Sequence, residues 1–447
     1  MIHIKIPWGA KHILQQLNEH GFESYVVGGC VRDDILGKSP HDWDITTDAT
    51  PEQVHEVLKN NIIYDTGIKH GTVTVLSCDE LPYEVTTFRI DGTYSDNRHP
   101  DEVKFVKSVQ LDLSRRDFTI NAMAYSPTTG LIDPFDGSRD LSAGIISAVG
   151  NPNDRFQEDG IRILRALRFA STYQFNIDAA TAKAIHSNVN LLQIQSAERI
   201  QAELVKILLG AGCLNILLQY PDVFTTIIPE LKPCLDFQQN SIWHCYNVYE
   251  HIAHSVDSYH GNDPIVKLAL LFHDIGKPHC YTEDDRGGHF HGHGVISYDI
   301  TATVLKRLKF SNEMQDAILP LVLHHDARIE PSRNVVNRWL NKVGDIGLQR
   351  LMDIREADVL AQSEYQREER LIKVQKIRAL EQQAILDSQC FQLKDLNING
   401  HILMEHLHLQ PGKTIGLLLN NLLNAVMDGE VENEEQALLD KAKQLLS

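Results

Sequence analysis

No apolar run in this chain reaches the length needed to cross a bilayer, and its greasiest late segment, IGLLLNNLLNAVM, is cut by asparagines. The N-terminus, MIHIKIPWGA, lacks the basic-then-apolar layout of a secretory signal. Cysteine is sparse. The seven residues (30, 78, 213, 234, 245, 280 and 390) form no CxxC pair, which argues against a disulfide framework and for reduced packing thiols in a cytoplasmic protein. There is no internal repeat and no low-complexity tract. Positive charge is in deficit, with 42 Lys and Arg against 60 Asp and Glu and a net charge of −18. That balance disfavours a polyanionic partner only at long range, because a local basic groove can dominate at contact. What remains is 43% hydrophobic and 23% charged, the composition of a globular chain, and 447 residues are too many for one core.

The pattern of periodicities predicts an α/β head with a small mixed sheet, followed by all-α regions. SYVVGG is a short apolar run stopped by glycines, and WDIT, GTVTVL and YEVTTFRI read as β-branched strands. Past residue 150 the character becomes helical, as in IRILRALRFAS and AERIQAELVKILLG. IIPELKPCLDFQQNSIW, with its prolines, reads as a linker. The expected divisions are 1–150, 151–238, a histidine-rich helical region 239–365, and a helical tail 366–447 broken at QPGK and DGEVENEE.

Three constellations carry chemistry. In YVVGGCVRDDILGKSPHDWDIT, Gly28-Gly29 permits a sharp turn into a helix whose free N–H groups favour phosphate, and Arg32 follows one turn later. Asp42 and Asp44 flank Trp43; if the segment is a strand, their side chains leave one face with Cα atoms ~6.5–7 Å apart. Paired carboxylates at that spacing suit Mg²⁺, and Glu84 in PYEVTTFR is the candidate third acid. The second constellation is EDGIRILRALRF, which sets Asp159, Arg162, Arg165 and Arg168 at three-residue intervals. On a helix each step drifts about 60°, so neighbours share a face. Three arginines without intervening acids repel one another unless an anion sits among them. The third is a histidine cluster: 11 of the 22 histidines lie between His244 and His325. His251, His273-Asp274, His293, the LHHD pair (of which His324 is taken) and Asp358 form an imidazole and carboxylate ligand set. Such ligands suit Mn, Ni, Fe or Mg better than a thiolate zinc site.

GGCVRD followed by DWD resembles the class II branch of the nucleotidyltransferase family, the bacterial tRNA CCA-adding enzymes and poly(A) polymerases. The resemblance continues in order through FRIDGTYSDNRHP, the family's flexible loop, then LSRRDFTINAMAY, IDPFDG and RFQEDGIRILRALRFA. It implies a Mg²⁺-dependent transfer in which the 3′-OH of tRNA attacks CTP and then ATP, releasing pyrophosphate. Asp42 and Asp44 would hold the metal, with Glu84 as third carboxylate. Gly29, Arg32 and Arg116 would seat the triphosphate, with Asp117 and Asn121 near the ribose. Asp159 and Arg162 would read the amino and ring edges of cytosine and adenine, and Arg165 and Arg168 would bind phosphate. The order H…HD…H…H…D resembles the HD superfamily of metal-dependent phosphohydrolases. The resemblance makes 1–150 the nucleotidyltransferase head, 151–238 a neck that binds base and RNA, 239–365 an HD domain and 366–447 an RNA-binding tail. The rivals are a poly(A) polymerase or A-adding enzyme of the same family, and a chain acting mainly as an HD phosphohydrolase or cyclic phosphodiesterase on RNA ends.

Overall fold

Buried β-branched runs set the first sheet. In the computed structural model, which describes residues 3–92, 97, 102–285, 287–386, 393–427 and 429–446, the strand β1 (Ser24–Val27) is buried along its whole length. It pairs antiparallel with β2 (Ile45–Thr47), with Val26 opposite Ile45. The hairpin strands β3 (Ile62–Gly67), β4 (Thr72–Leu76) and β5 (Pro82–Thr87) follow. Strand β4 alternates, burying Val73 and Val75, and β5 buries Tyr83 and Val85, as one covered face requires. A short pair, β6 (Arg89–Asp91) and β7 (Val103–Phe105), stands apart, and β8 (Ala124–Ser126) and β9 (Gly130–Ile132) complete the seven-stranded order β3-β4-β5-β2-β1-β8-β9. Strands β2 and β5 run parallel with Ile45 opposite Val85, so the residues just before them, Asp44 and Glu84, lie side by side at the sheet's margin. YEVTTFRI is thus two strands rather than one, separated at Phe88, which is fully buried. The loop FRIDGTYSDNRHP falls largely on residues 93–96 and 98–100, outside the described residues.

The chain divides into two compact units, Met1–Pro229 and Glu230–Ser447. In the first, the head leads into helices, of which Arg162–Tyr173 and Ala197–Leu209 matter most for the site. The former buries Ile163, Leu164, Ala166, Leu167 and Ala170, and the latter Ile200, Leu204, Ile207 and Leu208. The second unit is built almost wholly from helices. Val248–Ser258 starts at a capping box, where Asn247 and Glu250 satisfy each other's backbone N–H groups. Pro264–Phe272 is buried from Ile265 to its end, which delivers the following His273 and Asp274 into the interior. Arg333–Leu360 is interrupted at Gly344, where φ is +76°. The tail helices Gly400–Leu407, Lys413–Met427 and Glu435–Leu446 share a core of Leu403, Leu418, Leu422, Leu423, Leu438 and Leu439. Each such leucine contributes ~1.5–3 kcal/mol on burial. No helix among the described residues is long and apolar enough to cross a membrane. The α/β head followed by helices is the architecture that the change of period near residue 150 predicted.

One buried acid in the second unit has a measurable consequence. Glu381, on the helix Arg367–Leu386, is only 5% exposed. Burial pushes its carboxyl up to about 7, against the pull of Arg378 and with help from Asp353 and Asp345. The folded state therefore holds this proton where the unfolded chain has released it, so stability falls as pH rises from the ordinary glutamate range through about 7. Glu381→Gln is expected to stabilise the protein by ~1–3 kcal/mol at pH 8, a gain that shrinks toward zero below about pH 5. Urea titrations of both proteins at the two pH values measure it.

Candidate functional site

In the head, Asp44 and Glu84 stand one residue before Ile45 and Val85, which pair where β2 meets β5. The backbone carbonyl of Asp44 accepts from the Val27 N–H at 3.0 Å, which anchors the residue beside β1. Asp42 and Trp43 precede the strand rather than lying in it, because β2 begins at Ile45. The two aspartates therefore do not share a face by strand alternation. Electrostatics nevertheless couples them. Burial pushes the Asp44 carboxyl above its ordinary value, the Arg116 guanidinium pulls it down, and Glu84 and Asp42 push it up again. Glu84 is exposed on β5 rather than sunk in an apolar face. A half-buried carboxylate flanked by two others, with one guanidinium nearby, is a donor set that a hard divalent cation fits.

The glycine turn follows Val27, the residue bonded to the Asp44 carbonyl. Gly28 has φ +80°, which strains any residue with a Cβ, and Arg116 Nη1 lies 2.8 Å from where that Cβ would stand. Arg116 also lies 3.6 Å from Asp112, and its buried Nε has no hydrogen-bond partner among the described residues. Arg32 is buried. It forks onto Asp33 (Nε to Oδ1 2.9 Å, Nη2 to Oδ2 3.0 Å) and donates from Nη1 to Asn121 Oδ1. Its guanidinium sits 5.1 Å from the ring centres of both Phe169 and Tyr173, and the Tyr173 hydroxyl donates to Asp33 at 2.8 Å. Gly29 opens the helix Gly29–Ile35 directly beside Arg32.

The arginine face differs from its sequence expectation. Asp159 is not on the helix with the arginines. It sits in extended backbone at the end of Pro152–Glu158, and Arg162 is the first residue of the next helix. Nor do the arginines face one another without acids. Arg162 Nη1 donates to Glu158 at 2.6 Å, Arg165 bonds Asp117 at 2.8 and 2.5 Å, and Arg168 Nε donates to Glu203 at 2.6 Å. Asp159 is forked by Arg199. Asp117 and Glu203 come from 48 and 35 residues away, beyond the reach of a helical-spacing argument. Burial works against an ionised Asp117, but Arg165 and the Asn121 amide (3.0 Å) hold its carboxyl far below the usual carboxylate range. Asp117 and Asn121 thus link the arginine helix to Arg32.

In the second unit the histidines gather around Asp274. His251 Nε2, His273 Nε2 and Lys277 Nζ lie 3.2, 3.3 and 2.6 Å from its Oδ2, and His293 and His325 Nε2 lie 3.4 and 3.5 Å from its Oδ1. Asp358 Oδ1 is 3.0 Å from His251 Nε2. Two ligand groups result, His251-His273-Asp274 and Asp274-His293-His325, both buried and sharing the aspartate. His273, His293 and His325 each have Nδ1 at 2.7 Å from a backbone carbonyl, of Leu270, Phe290 and Val322. Those carbonyls fix the tautomer and leave Nε2 as a lone pair facing inward. His293 and His325 Nε2 then stand 2.9 Å apart. Against burial, Asp274 and Asp358 raise His273 to about 10, while both carboxyls are held well below their usual range. A buried cluster of this kind calls for positive charge, supplied by protons or by a metal. It opens into a cleft of about 760 Å³ whose lining includes Lys277, Arg328, Arg355 and Arg370.

One ligand assignment needs correcting. His324 does not join the cluster; its ring packs edge-on to Trp339 at 5.3 Å, and the inward position belongs to His325. Successive residues near a helix end point ~100° apart, so only one of the pair can face the metal group. His251, His273, Asp274, His293 and Asp358 do come together. Lys277, three residues beyond Asp274 in HDIGKP, joins the cluster although the imidazole and carboxylate pattern does not point to it. Arg199, Glu158 and Glu203 were missed, although AERIQAEL places Arg199 and Glu203 one turn apart.

Comparison with known proteins identifies the class. The Poly A polymerase head domain model matches residues 24–147, the model for the RNA and SrmB-binding site of polymerase A matches 174–235, and the tRNA nucleotidyltransferase domain 2 model matches 296–442. With its carboxylate site, the head makes this chain a nucleotidyltransferase. The CCA-adding enzyme of Enterococcus faecalis is 35% identical over 438 residues, covering 97% of this chain and 95% of that protein. That of Ligilactobacillus salivarius is 33% identical over 445 residues, covering 97% and 95%. A crystal structure of the Bacillus stearothermophilus CCA-adding enzyme in complex with CTP superposes with a TM-score of 0.70 at 28% identity, covering 98% of this chain and 96% of that one. The Thermotoga maritima CCA-adding enzyme complexed with tRNA, at 22% identity and a TM-score of 0.59 over 98% and 94% of the two chains, shares the fold. The chain belongs to the CCA-adding enzyme family.

Proposed function

We propose that this protein completes the 3′ end of tRNA, adding C, C and A from CTP and ATP. The observation that carries the reading is Asp44 placed beside Glu84 by the β2–β5 register, within electrostatic reach of Asp42 and of Arg116, whose guanidinium stands at Gly28. In each cycle the terminal 3′-OH attacks the α-phosphorus of the nucleotide, the bond to the β-phosphate breaks, and pyrophosphate leaves. Asp42 and Asp44 would hold Mg²⁺, with Glu84 beside them. Bound there, Mg²⁺ lowers the pKa of the attacking hydroxyl and neutralises charge on the leaving pyrophosphate. Arg116, half-buried and with an Nε that has no hydrogen-bond partner among the described residues, offers the triphosphate a cation, and Arg32 is held in place by Asp33, Asn121 and two aromatic rings. Asp159 accepts from the exocyclic amino group of cytosine or adenine, and Arg162 donates to the neighbouring ring acceptor. Uracil and guanine present the opposite polarity at those edges, leaving buried groups unpaired. The neck (151–238) would grip the tRNA, a reading supported by the RNA-binding model over 174–235, and the tail (366–447) would assist by analogy with the family.

The test uses tRNA ending at the discriminator base, each nucleotide alone and in mixtures, and products sized to one nucleotide. CTP alone is expected to add two residues and CTP with ATP three, with UTP and GTP adding none. A long tail from ATP alone overturns the reading in favour of poly(A) synthesis. Asp159→Ala is expected to admit UTP and GTP while leaving magnesium dependence unchanged; retention of parental selectivity removes Asp159 from base reading.

A second reading is favoured by the facing Nε2 atoms of His293 and His325. Residues 239–365 form an HD domain in which His251, His273, Asp274, His293, His325 and Asp358 hold one or two divalent ions for phosphate-ester hydrolysis. Mn, Ni, Fe or Mg suit that ligand set. Lys277, buried against Asp274, would meet the phosphate. Release of phosphate from nucleotide 2′,3′-cyclic and 2′-monophosphates, measured with each metal added, tests it.

A further inference from the structure

Two arginines in the cleft of the second unit are satisfied differently from those of the head. In the head, Arg162, Arg165 and Arg168 each meet a carboxylate. In the cleft, Arg355 donates from Nε to the His325 carbonyl at 3.2 Å and from Nη2 to the Ala327 carbonyl. Arg370 donates from Nη1 to Gln362 Oε1 and from Nη2 to the Tyr365 carbonyl at 3.5 Å. Its buried Nε has no hydrogen-bond partner among the described residues. Neither guanidinium forms an ion pair with a carboxylate among the described residues. Burial lowers both from the ordinary arginine value, and nearby acids, Asp358 among them, offset only part of that. A partly buried guanidinium without a paired countercharge is costly, and an arriving anion relieves the cost.

Both arginines stand beside the ligand cluster. Gln362 is the bridge: its Nε2 donates to Asp358 Oδ1 at 2.8 Å, while its Oε1 accepts from Arg370. One amide thus separates a guanidinium with an open donor from the carboxylate that lies 3.0 Å from His251. Arg355 holds the backbone of His325, itself a member of the cluster. Arg370 belongs to the helix Arg367–Leu386, beyond the histidine-rich region, and one turn later the same helix brings exposed Lys373 to the cleft. Outside the cluster, the acids of the lining are Asp326 and Glu330, both exposed. The cleft, at about 760 Å³, has the size of a small-molecule site and far exceeds what one phosphate group requires.

We propose that this cleft binds a ribonucleotide carrying two phosphates, one at the histidine and carboxylate cluster beside Lys277 and the other, across the ribose, at Arg370. Arg355 and Lys373 add positive charge to the second position. The Gln362 side chain sets the two anion positions apart. The phosphates of a diphosphate share one oxygen and suit adjoining donors, whereas a 5′ phosphate and one at the 2′ or 3′ position have the sugar between them. Two sources offer that chemistry. One is a free nucleoside bisphosphate. The other is the last residue of an RNA with a phosphorylated or cyclised ribose end, whose 5′ phosphate is the preceding diester. The proposal rests on the reading that the cluster handles phosphate esters.

Calorimetry of the full chain in EDTA, where no metal-dependent turnover occurs, compares Kd for adenosine 2′,5′-bisphosphate with Kd for adenosine 2′-monophosphate. The 5′ phosphate is expected to tighten binding about tenfold, the factor that one charge-assisted hydrogen bond is worth. Arg370→Gln is expected to remove most of that ratio. Arg370→Lys keeps part of it, because lysine retains the charge without the planar fork. Lys373→Gln lowers it less. With manganese added, kcat/KM for phosphate release from the two nucleotides should show the same preference. Comparing a dinucleotide that ends in a 2′,3′-cyclic phosphate with adenosine 2′,3′-cyclic monophosphate separates the sources: a preference for the dinucleotide assigns the cleft to an RNA end, and equal rates assign it to a free nucleotide. Equal Kd values for the bisphosphate and the monophosphate in the parent overturn the proposal, whether or not any variant folds. A purely structural Arg370 weakens both ligands by one common factor, which also overturns it. If the Arg370-dependent preference is found but no metal supports phosphate release, the hydrolytic reading fails and the proposal stands. If phosphate is released from both nucleotides and neither binding nor kcat/KM distinguishes them, the proposal alone fails.

Discussion

Asp44→Asn is expected to incorporate CTP and ATP at no more than about a thousandth of the parental rate, the scale of loss when a metal-holding carboxylate leaves a phosphoryl-transfer site. The substitution preserves shape and removes one charge. Its effect on stability should run the other way. Burial raises the Asp44 carboxyl above its ordinary value, and Glu84 and Asp42 add to the rise. A carboxyl raised in the folded state binds its proton more tightly there than in the unfolded chain, so above that pKa its charge costs stability. Asn removes the cost. The variant should therefore melt at or above the parental temperature, and magnesium should stabilise the parent more than the variant. Steady-state incorporation and thermal melts with and without magnesium measure both halves. A variant retaining a tenth of parental activity would remove Asp44 from the metal site.

Asp274→Asn produces the second large effect. Asp274 is the shared member of both ligand groups and the partner of buried Lys277. A divalent ion that binds the folded protein stabilises it by ~2.7 kcal/mol at a hundredfold excess over its Kd, and the parent should show that shift with manganese or nickel. In Asp274→Asn the shift disappears, and bound metal per chain, read by elemental analysis after desalting, falls by the same sites. Without metal the variant leaves Lys277 and the surrounding imidazoles without their countercharge, a loss of ~3–5 kcal/mol for a broken buried pair. CTP incorporation, whose proposed metal and nucleotide residues lie in the other unit, is expected to persist wherever the protein remains folded. Unchanged metal content would mean that His293 and His325 hold the ion without the aspartate.

Much of this was legible in the sequence because it is local. The glycine turn, the Asp42–Asp44 pair and the HD dipeptide lie within short segments whose residue types already constrain chemistry, and the ordered run of motifs fixed the family. The change from alternating to helical period near residue 150 gave the architecture. What escaped depends on long-range pairing. Asp44 and Glu84 become neighbours only because β2 pairs in parallel with β5, a register that no single segment encodes. The acids that neutralise Arg165 and Arg168 arrive from elsewhere in the chain. The choice between His324 and His325 turns on about 100° of helix rotation, set by how Asn312–His324 packs and not by its own residues.

The internal pairing of Arg162, Arg165 and Arg168 with Glu158, Asp117 and Glu203 bears on how this acidic molecule responds to ionic strength. A phosphate arriving at Arg165 or Arg168 would displace a carboxylate instead of meeting a bare cation. The displaced carboxylate gathers sodium or potassium from solution, which offsets the ions shed by the nucleic acid. Attachment at this helix would consequently be an exchange of partners, with little net traffic of small ions, and its strength is expected to vary shallowly with added salt.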